Sequence, residues 1–238
     1  MTRSIYGYDN MHPVWTPEGD RLTFSSTRNG AWNLFSQLAD GSSEAERLAT
    51  SEGTQSPGSW SPDGKTLVFQ ERHPETGQDV WSLSIDAGEA PKRLLHEPFD
   101  ETSPRLSPDG GWMAYVSDES GQNEVFVRSF PGMAGKRQVS TEGGRYPLWN
   151  ANGRELFYRD DDKMMVVEIT SNESLELGAP KVLFEKPFAY SAAGLNYDVA
   201  PDGRRFVMIN ESDAEPAPTQ LVLVQNWAEE LRRLVPTP

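Results

Sequence analysis

The chain has 238 residues and carries 22 basic against 36 acidic side chains, a formal charge of −14. A surface this acidic repels phosphate backbones and anionic headgroups, which sets aside nucleic-acid and membrane-surface binding. Cysteine is absent, which excludes disulfides and thiolate metal sites, and no apolar run approaches the roughly 18 residues that cross a bilayer as a helix.

The first predicted element is a short strand over residues 2–7, around Arg3-Ser4-Ile5-Tyr6. The stretch MTRSIYGYDNMHPVW around it lacks the apolar core of an export signal, so an extracytoplasmic position would require a segment upstream of this sequence. A hairpin, VWTPEGDRLTF, begins at Val14. The same phrase returns as SWSPDGKTLVF from Ser59, RLSPDGGWMAY from Arg105, LWNANGRELFY from Leu148 and DVAPDGRRFVM from Asp198. The turn glycines Gly19, Gly64, Gly110, Gly153 and Gly203 are 45, 46, 43 and 50 residues apart. A strand-rich repeat of about 40–45 residues predicts propeller blades.

Within each copy, large apolar residues recur at fixed offsets from the glycine, two apart, as on one face of a strand. Leu22, Leu67, Met113, Leu156 and Phe206 stand three after it and Phe24, Phe69, Tyr115, Tyr158 and Met208 five after; Trp15, Trp60, Leu106, Trp149 and Val199 stand four before it, and predict an interblade core. In Ser61-Pro62-Asp63-Gly64, Ser suits the first turn position, Pro presets φ at the second, and Gly accepts the left-handed conformation that follows. A third strand follows in each copy (WNLFSQL, DVWSLSI, NEVFVRSF, MMVVEIT, QLVLVQNW), and then a short fourth with a basic start at Arg47, Arg93, Arg137 and Lys181.

The fifth copy lacks a fourth strand after QLVLVQNW, whereas Arg3 stands 16 residues before Gly19, and the other basic starts stand 17, 17, 16 and 22 residues before their glycines. Residues 2–7 are therefore predicted to close the last blade, which leaves only short protected edges. The units run over 8–50, 51–96, 97–141, 142–185 and 186–227 plus 2–7, and the tail 228–238 is predicted to be a short helix bearing Trp227, Leu231 and Leu234 on one face. The reading is a single all-β domain: a propeller of four-stranded antiparallel blades, five by repeat count, or six if a blade lies outside this chain.

The phrases HPVWTPEGDRLTFSSTRNG and SWSPDGKTLVF resemble the WD40-like (PD40-type) repeats of TolB-like β-propellers, and the likeness covers nearly the whole chain. The ending LVLVQNWAEELRRL is similar to the last segment of propellers fused behind bacterial serine/threonine kinase domains. That resemblance implies a sensor or interaction domain, a kinase domain upstream in a longer parent protein, and an extracytoplasmic position if an anchor precedes the propeller. No kinase motif occurs in the chain. Similar propellers precede the hydrolase domain of prolyl-oligopeptidase-type peptidases, but the Gly-x-Ser-x-Gly nucleophile elbow is absent.

The residues that carry chemistry are sparse. Histidines occur at 12, 73 and 96, at different repeat positions, which argues against a catalytic or metal cluster. Asp160-Asp161-Asp162 offers the oxygen ligands Ca²⁺ prefers, but its place in a hairpin tip favours a solvated loop, so no cofactor is expected. Asp63, Asp109 and Asp202 are assigned to turn stabilisation. Binding is expected on the channel rim, where links from the outer strands deliver Tyr8, Asp9, His12, Gln55, Glu101, Arg145, Tyr146, Asn196 and Tyr197. Tyrosines and arginine among small polar groups resemble a protein-binding surface, so the expected partner is a protein, a peptide or a small polar ligand, bound without chemistry. The alternative is a propeller lyase or glycan hydrolase at the channel mouth, which would need clustered histidines or paired carboxylates. The long loops over 71–79 and 211–219 mark the next candidate surface.

Overall fold

Five glycines set the frame. In a computed structural model describing residues 2–3, 7–85, 88–171, 174–188 and 195–209, Gly19, Gly64, Gly110, Gly153 and Gly203 adopt φ of +73, +69, +72, +70 and +68°. Each donates its N–H to the carbonyl three residues back, at 2.8–2.9 Å. That left-handed geometry is cheap only for glycine. In the second and third copies a serine completes the turn: Ser61 Oγ donates to Asp63 and accepts from Thr66 N, and Ser107 Oγ does the same with Asp109 and Trp112 N. Thr16 plays part of this role in the first copy and Asn150 in the fourth.

Between the turns every regular element among the described residues is a strand. Blade one contains β1 (Thr2–Arg3), β2 (Asp9–Trp15), β3 (Arg21–Ser26), β4 (Asn33–Leu38) and β5 (Glu46–Arg47), paired in that order. Blade two contains β6 (Gln55–Trp60), β7 (Thr66–His73), β8 (Gly77–Ser84) and β9 (Lys92–Arg93). Blade three contains β10 (Glu101–Leu106), β11 (Trp112–Ser117), β12 (Glu124–Ser129) and β13 (Arg137–Gln138). Blade four contains β14 (Arg145–Trp149), β15 (Glu155–Asp160) and β16 (Lys163–Ser171); β17 (Glu176–Leu177) and β18 (Lys181–Glu185) both pair with β16. The described part of blade five is the hairpin β19 (Tyr197–Val199) and β20 (Phe206–Met208). All pairings are antiparallel, so this is an all-β propeller.

The core lies between blades. Leu34 and Ala49 of blade one pack with Leu67, Phe69 and Leu83 of blade two. Val68 and Val80 pack with Met113, Tyr115 and Phe126 of blade three. Ala114, Val125 and Val127 pack with Trp149, Leu156 and Tyr158 of blade four, and Phe157 and Met164 pack with Tyr197 of blade five. Each interface buries the same repeat positions, which is why the apolar offsets recur.

In blades one and two the basic start of the fourth strand meets a buried polar residue at or near the start of the third. Arg47 donates to Asn33, and Arg93 pairs with Asp79 through Nε at 3.0 Å. Glu124, the corresponding residue of blade three, instead accepts from Ser140 Oγ and from Gly143 N. Each polar residue is fully enclosed and ties the outer strand or the link beyond it to the blade.

Two expectations need amendment. Thr2–Arg3 pairs with Asn10 and Asp9 of the inner strand β2, so its described neighbour is blade one. The partner expected for it, residues 220–227, and the expected helix over 228–238 lie outside the described residues, as does the loop at 211–219. The interblade tryptophan position holds for Trp149, 8% exposed, whose Nε1 donates to Arg105 O, and for the partly buried Trp60, whose Nε1 donates to Thr23 Oγ1. It does not hold for Trp15, which is 56% exposed. Trp60 and Trp149 each reach the preceding blade. In blade five, Val207 and Ile209 are likewise exposed.

Candidate functional site: the channel lined by the inner strands

Each of the first four inner strands pairs out of step with its neighbour at one point: between Met11 and Val14, Pro57 and Ser59, Thr102 and Arg105, and Arg145 and Leu148. The cause is legible as an X-Pro pair, His12-Pro13, Ser56-Pro57, Ser103-Pro104 and Tyr146-Pro147. Proline cannot donate to a ladder, so within a sheet it marks an edge or a bulge. In three of the four the residue before proline is left-handed, with φ of +56° at His12, +54° at Ser103 and +56° at Tyr146. Such a conformation costs a residue with a Cβ about 1–2 kcal/mol and persists only where the surroundings impose it. Its effect here is to break the alternation of the strand, so that neighbouring residues such as Thr102 and Ser103, or Arg145 and Tyr146, both reach the axis of the ring.

The result is a central cavity of about 650 Å³ to which all five inner strands contribute. Blade one supplies His12 and Trp15, blade two Ser56 and Pro57, blade three Ser103 and Arg105, blade four Arg145, Tyr146 and Leu148, and blade five Leu195, Tyr197 and Asp198. Gln70 and Gln78 reach in from blade two. Gln70 Oε1 is used, accepting from Ser103 N at 2.8 Å, whereas Gln78 Oε1 is buried without a partner. Burial lowers the proton affinity of the Arg105 guanidinium, opposed by Tyr197 and Asp198; arginine is nevertheless too basic to lose its proton in proteins.

Of the residues expected on the rim, four line this cavity and the others serve the fold. His12, Arg145, Tyr146 and Tyr197 line it. Arg145 is exposed, and its two terminal nitrogens donate to the side-chain oxygen of Asn123 at 2.9 and 2.6 Å. Tyr197 contributes only an edge: it is 5% exposed and donates its hydroxyl to Tyr146 O at 2.7 Å. Burial holds that hydroxyl protonated far above the ordinary tyrosine range. Gln55 is enclosed between blades, donating to Glu71 Oε2 at 2.7 Å and accepting from Leu34 N. Glu101 is buried near Asp79 of the preceding blade, and burial pushes its carboxyl up to about 8. Asn196 is buried and accepts from Arg159 Nη1. The Tyr8 ring lies 4.7 Å beneath the Arg28 guanidinium, and Asp9 exchanges backbone and side-chain bonds with Thr27. Sequence reasoning missed Ser103 and Arg105; the X-Pro repeat was the signal that could have found them.

The remaining candidates belong to turns. Lys163 Nζ sits 3.1 Å from Asp160 Oδ2, so the acidic run carries its own counter-ion. Among the described residues no three His, Asp or Glu side chains gather as metal ligands. Asp63, Asp109 and Asp202 each accept from the backbone N–H two residues on, the turn role expected of them. His73 Nδ1 accepts from Glu75 N inside the blade-two hairpin, and His96 is exposed. No helix among the described residues is long and apolar enough to cross a membrane.

Comparison with known proteins agrees with this architecture. An uncharacterized protein of Agrobacterium fabrum is 29% identical over 118 residues, 49% of this chain and 38% of that one. The protein TolB homolog of Chlorobium luteolum is 30% identical over 122 residues, 50% of this chain and 26% of that one. The chain thus spans well under half the length of these relatives. Among solved structures, TolB from Acinetobacter baumannii superposes with a TM-score of 0.63 at 17% identity, covering 85% of this chain and 55% of that one. An oligogalacturonate lyase in complex with manganese superposes with a TM-score of 0.52 at 15% identity, covering 84% and 70%; likenesses at this identity speak for the fold alone. The family model of the TolB beta propeller domain matches residues 11–234, nearly the full length, and the chain belongs to that family.

Proposed function

We propose that the chain is a non-catalytic binding propeller that holds a protein or peptide segment at the mouth of its central channel. The observation that carries this reading is the set of left-handed bulges at His12, Ser103 and Tyr146, which turn side chains of separate blades toward one cavity. A fold that only needed to stack blades could satisfy the same core with regular strands. The mixture at the cavity, arginine and tyrosine beside proline and leucine, has the composition of surfaces that bind protein. Membership of a family of protein-binding propellers supports the same conclusion.

The lyase reading draws on a neighbour that shares only the fold. It would require a metal or a base on the axis, and His12 is the sole histidine of the three to line the cavity. A second depression of about 480 Å³ lies between the Ser61–Gly64 turn and Phe130–Pro131, but its lining is the turn apparatus of blades two and three. The experiment is display of random peptides against the immobilised chain, repeated with Arg145→Ala and with Asp161→Ala, a hairpin-tip control. Enriched peptides should lose binding to the first variant and keep it for the second. Enrichment of nothing, or peptides insensitive to Arg145→Ala and sensitive to Asp161→Ala, would overturn the reading.

A further inference from the structure

Arg105 breaks the repeat. It stands five residues before its turn glycine, where the other blades carry Val14, Ser59, Leu148 and Asp198. An arginine is therefore no requirement of the blade. Its position on β10, one residue beyond the bulge proline Pro104, places its side chain in the central cavity. A guanidinium has five N–H donors and no acceptor. Arg105 Nε is sealed from solvent with no hydrogen-bond partner, and among the described residues no carboxylate lies within ion-pair distance of this arginine. The nearest acid of the cavity, Asp198, is exposed and its Oδ1 accepts from Val199 N at 2.8 Å.

The residue as a whole is only partly buried: Nε is enclosed and lacks an acceptor while the terminal nitrogens stay open, so a ligand in the cavity can supply the missing acceptor and charge. A carboxylate fits the fork of a guanidinium with two parallel hydrogen bonds. Arg145, exposed on the same cavity, adds a second positive charge at the entrance, in a protein whose net charge of −14 would otherwise repel an anion. The cavity volume, about 650 Å³, admits two or three amino-acid residues beside it, and Leu148, Leu195 and Pro57 offer apolar wall.

We propose that Arg105 is a carboxylate-binding residue at the bottom of the channel, which takes an acidic side chain or the C-terminal carboxylate of a peptide entering past Arg145. This rests on the reading of the channel as a peptide site and names the group recognised there. The test uses the full chain and three probes: acetyl-Gly-Phe with a free carboxylate, acetyl-Asp-Phe-amide, and acetyl-Gly-Phe-amide as the neutral control. The Nε–H resonance of Arg105 is identified by its loss in Arg105→Lys. One of the two acidic probes should shift it and so tell the C-terminal source from the side-chain source; the neutral probe should not. Arg105→Gln should weaken that probe about tenfold to a hundredfold, the worth of hydrogen bonds to a charged group. A shift of Tyr146 and His12 resonances by all three probes, with Arg105 unmoved, would overturn the carboxylate proposal and leave the channel reading standing. Silence of every channel resonance would overturn both.

Stability offers a readout that needs no ligand. Removing a partly buried charge that has no counter-ion, Arg105→Met should leave Tm unchanged or raise it, whereas a marked fall would show that the side chain serves the fold and would overturn the proposal.

Discussion

Glu101 shows how one position in the repeat is decided by its environment. Its backbone opens β10, its side chain is 1% exposed, and Oε2 has no hydrogen-bond partner. Burial pushes its carboxyl up to about 8, opposed by a backbone hydrogen bond from Glu97 and reinforced by the charge of Asp79. A carboxyl raised in the folded state binds a proton there that the unfolded chain has already released. Below the unfolded value, near 4.5, both states are protonated and burial of the group carries no charge penalty. As pH climbs from there through about 8, the wild type loses stability, whereas a glutamine does not. Thermal melts of Glu101→Gln and wild type should therefore coincide most nearly at about pH 5 and favour the variant increasingly toward about pH 9. A difference that stays constant with pH would mean that Glu101 is ionised and solvated in the folded protein. The sequence placed Glu101, Gln55 and Asn196 at the start of inner strands, and the structure agrees. What it could not supply is direction: at that position the side chain lies against the preceding blade, and only the residues at the bulge turn to the axis.

At the scale of the element, the turn is where sequence and structure correspond most directly. The Ser-Pro-Asp-Gly phrase is a local device, its bonds running among residues two to five apart, so spacing alone predicts it. The turns also touch one another: a Cβ on Gly110 would lie 3.2 Å from Pro62 Cδ of the previous turn, and one on Gly203 would meet the Asn150 side chain. Gly110→Ala should thus cost about 1–2 kcal/mol from the left-handed φ of +72°, with the contact to Pro62 adding to it. Urea denaturation of that variant, beside Gly121→Ala, resolves the two contributions: Gly121 has φ of +92° and open space around it. Equal losses would mean that the turns do not support one another around the ring. The bulges were less legible than the turns. An X-Pro pair in a strand signals an irregularity, but which neighbouring residue becomes left-handed depends on the ladder it must rejoin.

The whole molecule is a stack of blades whose cores lie between sheets, so each blade is stable only against its neighbours. The period of about 45 residues made that architecture plain from the sequence. Ring closure is a global property, carried by few residues, and Trp15, Val207 and Ile209 mark where the described blades leave apolar surface open. The channel is global in the same sense. Its five inner strands are far apart in the chain, and Arg105 gains its significance only when Arg145, Tyr197 and Asp198 are brought around it. The central claim is that ligands dock on this axis without being changed. Hydrogen exchange of the full chain, with and without a peptide enriched on it, tests that claim most directly. The account predicts slowed exchange concentrated in the inner strands, residues 9–15, 55–60, 101–106, 145–149 and 197–199, with the peptide recovered intact. Protection confined to the blade-two hairpin tip at 71–79 or the outer strands, or recovery of a cleaved peptide, would contradict it.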